Sequence, residues 1–411
     1  MAAPPSNVRL VGNAAQPASG PERSGPLGDV RVVELASLAP GPFAACLLAD
    51  MGADVIRVDR IGPRPAFASD LLDRGKRSLA VDLKHAGGVS LLLDLVARAD
   101  ILIEGFRPGV TERLGVGPDA CLAHNPALVY GRMTGFGQTG PLADRAGHDI
   151  DYIALAGALS RIGRRDQPPT PPLNLVGDFG GGSMFLVFGV LCALHEARRT
   201  GRGQVVDAAM VEGAGYLMLP FFGTPGSAER TGEGAADSPT RAPFERGRSI
   251  LDSGAPFYDA YLTADGRWVA VGAIEPQFYA ALLAGLGLDG SALPDPMDTA
   301  SWPAMKERFA EVFASRTRDE WEQVFAGTDA CVAPVLELDE LEDHPHHRSR
   351  GWLEHHHGVL QPGPVPRLSV SPGRIGGPPP VTGEHTDRIL EEWLGLDPAT
   401  VGAMHRDGVV A

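Results

Sequence analysis

The sequence predicts an α/β protein that combines a large domain on a parallel sheet with a smaller α+β domain. Between residues 29 and 215, short apolar strands alternate with helical segments, which is typical of a parallel sheet covered by helices. Between about 221 and 253, Gly, Pro, Ser, Thr and charged residues dominate and interrupt this alternation. Residues 254–330 then show a hairpin pattern followed by amphipathic helices. These observations place the boundary between the domains inside the polar stretch.

The first strand–helix–strand unit begins at residue 30. VRVVEL (30–35) is a short apolar strand, FAACLLADMG (43–52) is a helix that ends at a glycine, and ADVIRVD (53–59) is a second strand. Such a unit is the usual beginning of a doubly wound α/β sheet. The glycine fingerprint GxGxxG is absent, so the unit does not predict a nicotinamide dinucleotide site.

The same alternation continues through the rest of the large domain. The expected strands are at 78–83, 101–106 and 128–137, and the stretch 203–213 contains the strand-like VVDAAM. Helices are expected at 85–99 and 149–161, and RPGVTERLG (107–115) is expected to lead into another. A further helix is expected to begin near Gly181 and to carry the apolar run 184–194.

The smaller domain follows the polar stretch. APFYDAYLTADGRWVAVGAI (255–274) alternates around an Asp-Gly pair, which predicts a β-hairpin. Residues 275–288 and 305–325 are expected to be amphipathic helices.

The two chain ends and the linker complete the organisation. Residues 1–28 are expected to be a disordered tail, and residues 216–253 a linker with a polar insert. Residues 331–411 are expected to return to the large domain, with the prolines of 361–381 in an extended segment and a final helix at 387–395.

Composition excludes several classes of function. The formal charge is −15, whereas nucleic-acid binding needs clustered positive charge, so no nucleic-acid partner is expected. The four cysteines contain no CxxC pair, which argues against structural zinc and suits a reducing cytoplasm. The longest apolar run, 184–194, is too short to span a bilayer, so no membrane partner is expected. The histidine-rich pieces 344–347 and 355–357 lack converging acids or cysteines, so no metal site is expected.

Two motifs carry the candidate chemistry. AGHDIDYIA (146–154) places His148 before Asp149 at the start of a predicted helix, and NLVGDFGGGSMF (174–185) places Asp178 before three glycines. The positive end of a helix dipole disfavours imidazolium, so His148 would be available as a neutral base. The glycines let a substrate approach the backbone closely. An imidazole and a carboxylate in one pocket can move a proton on and off carbon.

Each of these candidates also has an ordinary structural interpretation. A lone histidine is usually structural or exposed, and Asp149 and Asp178 could each cap a helix. Glu275 lies directly after the strand WVAVGAI and before Pro276, where a first-turn helix acid is equally expected. A phosphate-binding loop is not predicted at Asp178, because no Lys-Ser/Thr pair follows the glycines.

Positive side chains recur at the ends of the predicted strands. Arg60, Lys84, Arg107 and Arg113 hold such positions, and doubly wound sheets bind ligands at the carboxyl ends of their strands. This placement indicates an anionic ligand, with ordinary surface charge as the alternative for each residue.

Together these motifs resemble the family III coenzyme A transferases, in particular their α-methylacyl-CoA racemase branch. The similarity runs from about Gly25 to at least Arg350. It includes the stretches VVELASLAPGPFAACLLADMGADVIRVDR, IEGFRPGVTERLG, AGHDIDYI, PLNLVGDFGGGSMF and VAVGAIEPQFY. GEHTDRIL (383–390) also resembles the family's C-terminal region. The N-terminal tail, the insert at about 224–250 and the region after Gly351 depart from the family pattern.

The resemblance implies roles for individual residues. In the transferases an apolar residue, often Phe, precedes the catalytic aspartate, whereas the racemases have a His-Asp pair. His148 therefore favours racemase chemistry, with Asp178 as the second catalytic group. Glu275 is implied to support His148, and Asp149 to partner Asp178. The residues implied around the coenzyme A moiety are Arg60, Leu83, Lys84, Gly105, Arg107 and Arg113.

The resemblance also implies a fold and a reaction. The fold is a Rossmann-like large domain completed by both chain ends, a small domain, and a homodimer of interlocked subunits with the active site between them. The reaction is a 1,1-proton transfer that interconverts the (2R) and (2S) epimers of a 2-methylacyl-CoA thioester. No cofactor is implied beyond the coenzyme A of the substrate. Two alternatives stay open, a coenzyme A transferase that uses Asp149 as nucleophile and a coenzyme A-binding protein without catalysis.

Overall fold

The computed structural model describes residues 25–63, 70–222 and 246–411. Most of the expected N-terminal tail, 1–28, and most of the polar insert, 224–250, therefore lie outside the described residues.

The described strands form one large parallel sheet and two small antiparallel sheets. Their bounds are β1 (Arg31–Leu35), β2 (Asp54–Asp59), β3 (Arg77–Ala80), β4 (Ile101–Glu104), β5 (Val129–Thr134), β6 (Gln204–Ala209), β7 (Tyr258–Leu262), β8 (Trp268–Gly272), β9 (Val332–Pro334), β10 (Leu353–His356) and β11 (Val359–Pro362).

The described α-helices cover the large sheet and build most of the small domain. Their bounds are α1 (Pro40–Asp50), α2 (Ala86–Val96), α3 (Val110–Arg113), α4 (Pro118–His124), α5 (Asp149–Leu155), α6 (Met184–Thr200), α7 (Met210–Leu217), α8 (Pro276–Leu286), α9 (Trp302–Phe313), α10 (Arg318–Phe325), α11 (Pro345–Arg350), α12 (Thr386–Leu394) and α13 (Pro398–Arg406).

In the described chain, the large sheet has six parallel strands in the order β3-β2-β1-β4-β5-β6. Val33 of β1 pairs with Ile56 of β2 on one side and with Leu102 of β4 on the other. The strand order therefore reverses between β1 and β4, which is the arrangement of doubly wound nucleotide-binding folds. This sheet confirms the predicted α/β class and the Rossmann-like large domain.

The apolar strands are buried on both faces, as parallel sheets require. Val33 packs into one core cluster with Leu92 of α2, whereas Val32 packs into the cluster on the opposite face with Val190 of α6. The C-terminal Trp393 belongs to the same cluster as Val33. Both chain ends thus contribute to the core of the large domain.

Several element boundaries differ from the predictions. Helix α5 ends at Leu155 and not at residue 161, since Gly157 adopts a φ of +81° that turns the chain away. Strand β5 covers only 129–134 of the predicted 128–137. The strand-like VVDAAM of the stretch 203–213 is β6, which ends at Ala209 and is followed directly by α7.

The segment around Asp178 is not a helix cap. A π-helix runs from Leu175 to Ser183 and continues without a break into α6, so Asp178 lies inside a helix and not before one near Gly181. The joined helix, Leu175–Thr200, is by length and composition able to cross a membrane, which corrects the expectation that no apolar run is long enough. Its Leu186 and Val190 are fully buried against the sheet, as in the core helix of a globular fold.

The small domain packs helices on the antiparallel sheet β7-β8-β9. Its core is aromatic and includes Phe257, Phe309 and Trp321. The single helix predicted at 305–325 is two helices, α9 and α10. Thr317 starts the second one, because its backbone amide donates to Glu320 Oε2 at 2.8 Å and its hydroxyl accepts from the Glu320 amide at 3.3 Å.

The C-terminal segment returns to the large sheet. The helix expected to be last, α12, is followed by α13, which Asp397 caps by accepting from the Thr400 amide at 2.8 Å. Val410 then forms an antiparallel bridge with Val81, next to the edge strand β3.

Candidate active site

A cleft of about 1200 Å³ opens at the carboxyl ends of β1, β2, β4 and β5. It therefore lies where the strand order reverses, which is the usual ligand site of this fold. Its walls include the loop after β1, the end of β2, the loops after β4 and β5, and the start of α5. The residues of chemical interest that line it are Ser37, Arg57, Asp59, Arg60, Asp73, Gly105, Arg107, Arg145, His148, Tyr152, Asn174 and Asp178.

His148 occupies the N-cap position of α5 and lines the cleft. Its backbone amide donates to Asp151 Oδ2 at 2.9 Å, which fixes the start of the helix. Its side chain is exposed and forms the capping box of α5 with Asp151. The exposed ring can meet a substrate, and its position depends on the backbone that carries it.

Asp178 lines the same cleft from the π-helix. Asn174 Nδ2 donates to Asp178 Oδ2 at 3.1 Å. Burial raises the pKa of Asp178 above 3.8, the hydrogen bond from Asn174 opposes this shift, and the charge of Asp149 adds to it. A charge on His148 also acts on Asp178, so the two groups share one electrostatic environment.

Asp149 is buried and does not line the cleft. Its Oδ1 accepts a hydrogen bond from the Asp178 backbone amide at 2.7 Å. Its Oδ2 is buried without a partner among the described residues. Gly177 makes this approach possible, because a Cβ there would lie 2.5 Å from Asp149 Oδ1. Asp149 thus contacts Asp178 through the main chain, and its implied role as the partner of Asp178 stays a prediction.

Glu275 lies in the small domain, at the N-cap of α8. It is exposed and does not line the cleft of its own chain. The structure therefore does not bring Glu275 and His148 together within one chain, and the support of the imidazole by Glu275 stays a prediction.

The six residues implied around coenzyme A fall into two groups. Arg60, Gly105 and Arg107 line the cleft, at the ends of the inner strands β2 and β4. The guanidinium groups of Arg60 and Arg107 have no carboxylate partner among the described residues, so both are available to an anion. The residues that do not line the cleft are Leu83, Lys84 and Arg113.

The strand order explains this division. Leu83 and Lys84 follow β3, which is the edge strand of the sheet, and Leu83 packs against the core. Arg113 lies on α3, with its Nη1 close to Gly109. The position at strand ends predicted four cationic residues, of which Arg60 and Arg107, after the inner strands β2 and β4, line the cleft, whereas Lys84 and Arg113 do not.

The floor of the cleft is a buried network of charges. Arg57 Nη1 lies 2.6 Å from Asp73 Oδ2, and Arg57 Nε donates to Asp59 Oδ2 at 2.8 Å. Lys76 Nζ lies 3.1 Å from Asp73 Oδ1 and 2.6 Å from Glu34 Oε2. Burial raises the pKa of Glu34 above 4.5, although Lys76 opposes the shift. The network joins the ends of β1, β2 and β3 beneath the ligand site.

Sequence reasoning missed two residues at the site. Asn174 carries the hydrogen bond to Asp178, and Tyr152 donates its hydroxyl proton to the Gly147 carbonyl oxygen. The spacing i, i+4 between Asn174 and Asp178, and between His148 and Tyr152, is the signal that could have found them, because such residues share a helix face.

The histidine-rich region forms separate ion pairs. His344, His355 and His356 contact Glu322, Glu342 and Glu354 respectively, at 3.0, 2.7 and 2.8 Å. Across the described ranges, no three His, Cys, Asp or Glu side chains converge as metal ligands do.

A doubly wound sheet with a cleft at the reversal of strand order, lined by His148, Asp178 and two arginines, is the arrangement of α/β proteins that bind nucleotide-bearing ligands. A model of CoA-transferase family III matches residues 27–386. The chain belongs to CoA-transferase family III.

Proteins similar to this chain include two racemases and a transferase. Alpha-methylacyl-CoA racemase of Mus musculus is 49% identical over 386 residues, which cover 93% of this chain and 97% of that protein. The Homo sapiens protein of the same name is 46% identical with the same coverage. Succinyl-CoA–D-citramalate CoA-transferase of Chloroflexus aurantiacus is 32% identical over 400 residues, 90% of this chain and 94% of that protein.

Solved structures share the fold. A CAIB/BAIF family protein from Brucella suis has a TM-score of 0.74 and 25% identity, and the match covers 90% of this chain and all of that one. A hypothetical protein from Mycobacterium tuberculosis has a TM-score of 0.71 and 26% identity, with 89% and 99% covered.

Proposed function

We propose that the protein is an α-methylacyl-CoA racemase, which interconverts the (2R) and (2S) epimers of a 2-methylacyl-CoA. The observation that carries this proposal is that His148 and Asp178 line one cleft while Asp149 does not line it. The identity of 46–49% to alpha-methylacyl-CoA racemases supports the same reaction.

The reaction needs two groups that exchange a proton with carbon. A thioester α-proton is a weak acid, and inversion requires that one group removes it on one face and another delivers a proton on the opposite face. His148 and Asp178 are in these roles. The raised pKa of Asp178 brings its carboxyl closer to the working pH of a group that alternates between acid and base.

The enolate formed between the two proton transfers needs stabilisation at the thioester oxygen. The backbone amides of Asp149 and Ile150 are the first of α5 and have no acceptor among the described residues. Such amides carry the positive end of the helix dipole, so they are suited to the developing oxyanion.

The substrate's coenzyme A would occupy the other end of the cleft. Arg60 and Arg107 offer its phosphates guanidinium groups that have no carboxylate partner in the described part of the chain, and Gly105 lets the chain approach closely beside them. Proton transfer between carbon and two side chains involves no net oxidation, so the proposal includes no cofactor beyond the coenzyme A of the substrate.

A coenzyme A transferase is the alternative, since a 32% identical relative carries that name. Its nucleophile would be Asp149. The Asp149 carboxylate is buried, and one of its oxygens is held by the Asp178 amide. A substrate carbonyl in the cleft would therefore meet His148 and Asp178 first, which favours the racemase.

We further propose a cytoplasmic homodimer in which the small domain of one subunit completes the cleft of the other. All four cysteines are free thiols, which suits a reducing compartment. Glu275 is exposed away from its own cleft, where a second copy could use it. Apolar side chains near Asp178 are also exposed, as at contact surfaces between subunits, namely Leu173, Leu175, Tyr216 and Leu217.

Proton NMR of a single-epimer 2-methylacyl-CoA in D2O tests the reaction. The purified protein, with no carboxylic acid added, should remove the α-proton signal and produce the second epimer. Substituted proteins His148→Ala and Asp178→Ala that fold normally should lose inversion. Transfer of coenzyme A to an added acid, without α-proton exchange, would instead establish the transferase.

A further inference from the structure

We propose that Tyr152 is the positioning residue that holds His148 at the cleft. The inference rests on the proposed racemase function and adds a residue to it. The imidazole of His148 is exposed at the N-cap of α5, so its position in the cleft depends on the backbone on either side of it.

Tyr152 binds that backbone on both sides of His148. Its hydroxyl donates to the carbonyl oxygen of Gly147, the residue directly before His148. Its amide donates to the carbonyl oxygen of His148 itself, at 3.2 Å. The carbonyl groups of Gly147 and His148 are thus both held by Tyr152, one by its hydroxyl and the other by its backbone amide.

The tyrosine ring is fixed by its surroundings. A Cβ at Gly135 would lie 2.2 Å from the ring, and a Cβ at Gly147 would lie 2.8 Å from it, so both glycines are required by the ring. Phe136 meets it edge to face, with 5.1 Å between ring centroids. Because Gly135 and Phe136 follow β5, Tyr152 connects the start of α5 to the sheet.

The hydroxyl remains a donor over the whole range in which the site works. Burial raises the pKa of Tyr152 to about 12, with the charge of Asp178 adding to the shift. The bond to Gly147 is therefore kept at neutral pH.

Tyr152→Phe separates positioning from packing, since the ring stays and only the hydroxyl bond is lost. The readout is the early loss of the α-proton from each epimer of a 2-methylacyl-CoA in D2O, before inversion. The proteins His148→Ala and Asp178→Ala assign each epimer to the group that deprotonates it. Racemisation itself must slow equally in both directions, because an enzyme leaves the equilibrium constant unchanged.

The expected result is asymmetric. Exchange from the epimer assigned to His148 should slow on the order of tenfold in Tyr152→Phe, because a small misplacement of a reacting group lowers the reaction rate by such a factor. Exchange from the epimer assigned to Asp178 should be unchanged. Tyr130→Phe is the matched control, because Tyr130 is also buried and its hydroxyl also donates to a backbone carbonyl, that of Val116 at 3.0 Å. Both epimers should exchange normally in this control.

Two results would overturn the assignment of Tyr152 while leaving the racemase intact. These are an equal loss for both epimers and no loss for either. Absence of exchange in the unsubstituted protein would overturn the proposed function, and the role of Tyr152 with it.

Discussion

The carboxylate of Asp149 accepts a hydrogen bond from the backbone amide of Asp178, with 2.7 Å between Oδ1 and the nitrogen. The two motifs, 29 residues apart in sequence, are therefore joined below the cleft. Only Asp178 presents its side chain to the ligand site. Asp149 acts on Asp178 through its charge and through the main chain, without occupying substrate space.

Replacement of Asp149 by asparagine should test this division of roles. Asp149→Asn keeps an acceptor for the Asp178 amide but removes the charge that raises the pKa of Asp178. The pKa of Asp178 should fall, so its exchange reaction should persist to lower pH than in the wild type. Asp149→Ala also removes the acceptor and should lower the free energy of unfolding by about 1–3 kcal/mol. The pH dependence of α-proton exchange and chemical denaturation measure both effects. Complete inactivity of a folded Asp149→Asn protein would point to a nucleophilic role.

Replacement of Asn174 should shift the same group in the opposite direction. Burial raises the pKa of Asp178, and the hydrogen bond from Asn174 opposes this by favouring the carboxylate. Asn174→Ala removes the opposing effect, so the pKa should rise further. Exchange from the epimer that Asp178 deprotonates should then be lost at a higher pH than in the wild type. The pH–rate profile of each epimer measures it, and a shift in the same direction as Asp149→Asn would contradict the geometry.

The alternation of apolar strands and helices in the sequence predicted most of the large domain. Apolar strands in alternation with helices predict a parallel sheet, and the structure confirms that sheet. The placement of His148 before a helix is also where the structure has it. The alternation of strands and helices along the sequence does not reveal the order of the strands in the sheet. That order decides which strand ends face the ligand. Arg107 and Lys84 looked equivalent in sequence, but only Arg107 follows a strand next to the reversal.

Features that depend on contacts between distant segments were not predictable. One example is the π-helix around Asp178. Helix α7 packs against it backbone to backbone, at Gly181 and Gly213. The three glycines GGG indicated conformational freedom, and freedom alone does not distinguish a loop from a wide helix. The break between α9 and α10, by contrast, had a local signal in the Thr317–Glu320 capping pair.

The contact between the two domains should weaken at low pH, where the carboxylate of Asp259 is protonated. Asp259 of β7 pairs with Arg164 at 2.7 Å and with Lys306 at 2.6 Å. Burial raises the pKa of Asp259, but these two cations outweigh it and hold the pKa below 3.8. A lowered native pKa stabilises the fold above the pKa of the unfolded chain, about 3.9, and this stabilisation is lost as the pH falls through the native value.

Asp259→Asn should therefore lower the free energy of unfolding by about 1–3 kcal/mol at neutral pH. The pair with Arg164 contributes less of this than its short distance suggests, because Arg164 is half-exposed and solvent screens its charge. The difference from the wild type should shrink as the pH falls below about 4. Denaturant titrations at several pH values measure this. Asp166→Asn is the control, because Asp166 is 86% exposed in its pair with Arg165 and should change little at any pH. A difference that persists unchanged at the lowest pH would exclude the ionised carboxylate as its cause.

Two glycines of α7 should respond in opposite ways to the same substitution. A Cβ at Gly213 would lie 1.8 Å from the carbonyl oxygen of Gly181, in the helix that carries Asp178, whereas a Cβ at Gly215 would meet nothing within 4 Å. Gly213→Ala must push the two helices apart, and we expect a loss of about 1–3 kcal/mol in the free energy of unfolding. Gly215→Ala should stabilise the helix by about 0.5–1 kcal/mol, because alanine restricts the unfolded chain more than glycine does.

The consequence for the site follows from the same contact. Displacement of the π-helix moves Asp178 relative to His148, so Gly213→Ala should reduce exchange from the epimer that Asp178 deprotonates more than from the other. Gly215→Ala should leave both rates unchanged. Denaturant unfolding and α-proton exchange in D2O, measured on both proteins, give the two readouts. If Gly213→Ala were as stable and as active as Gly215→Ala, the close approach of α7 to the π-helix would not be what holds Asp178 in place.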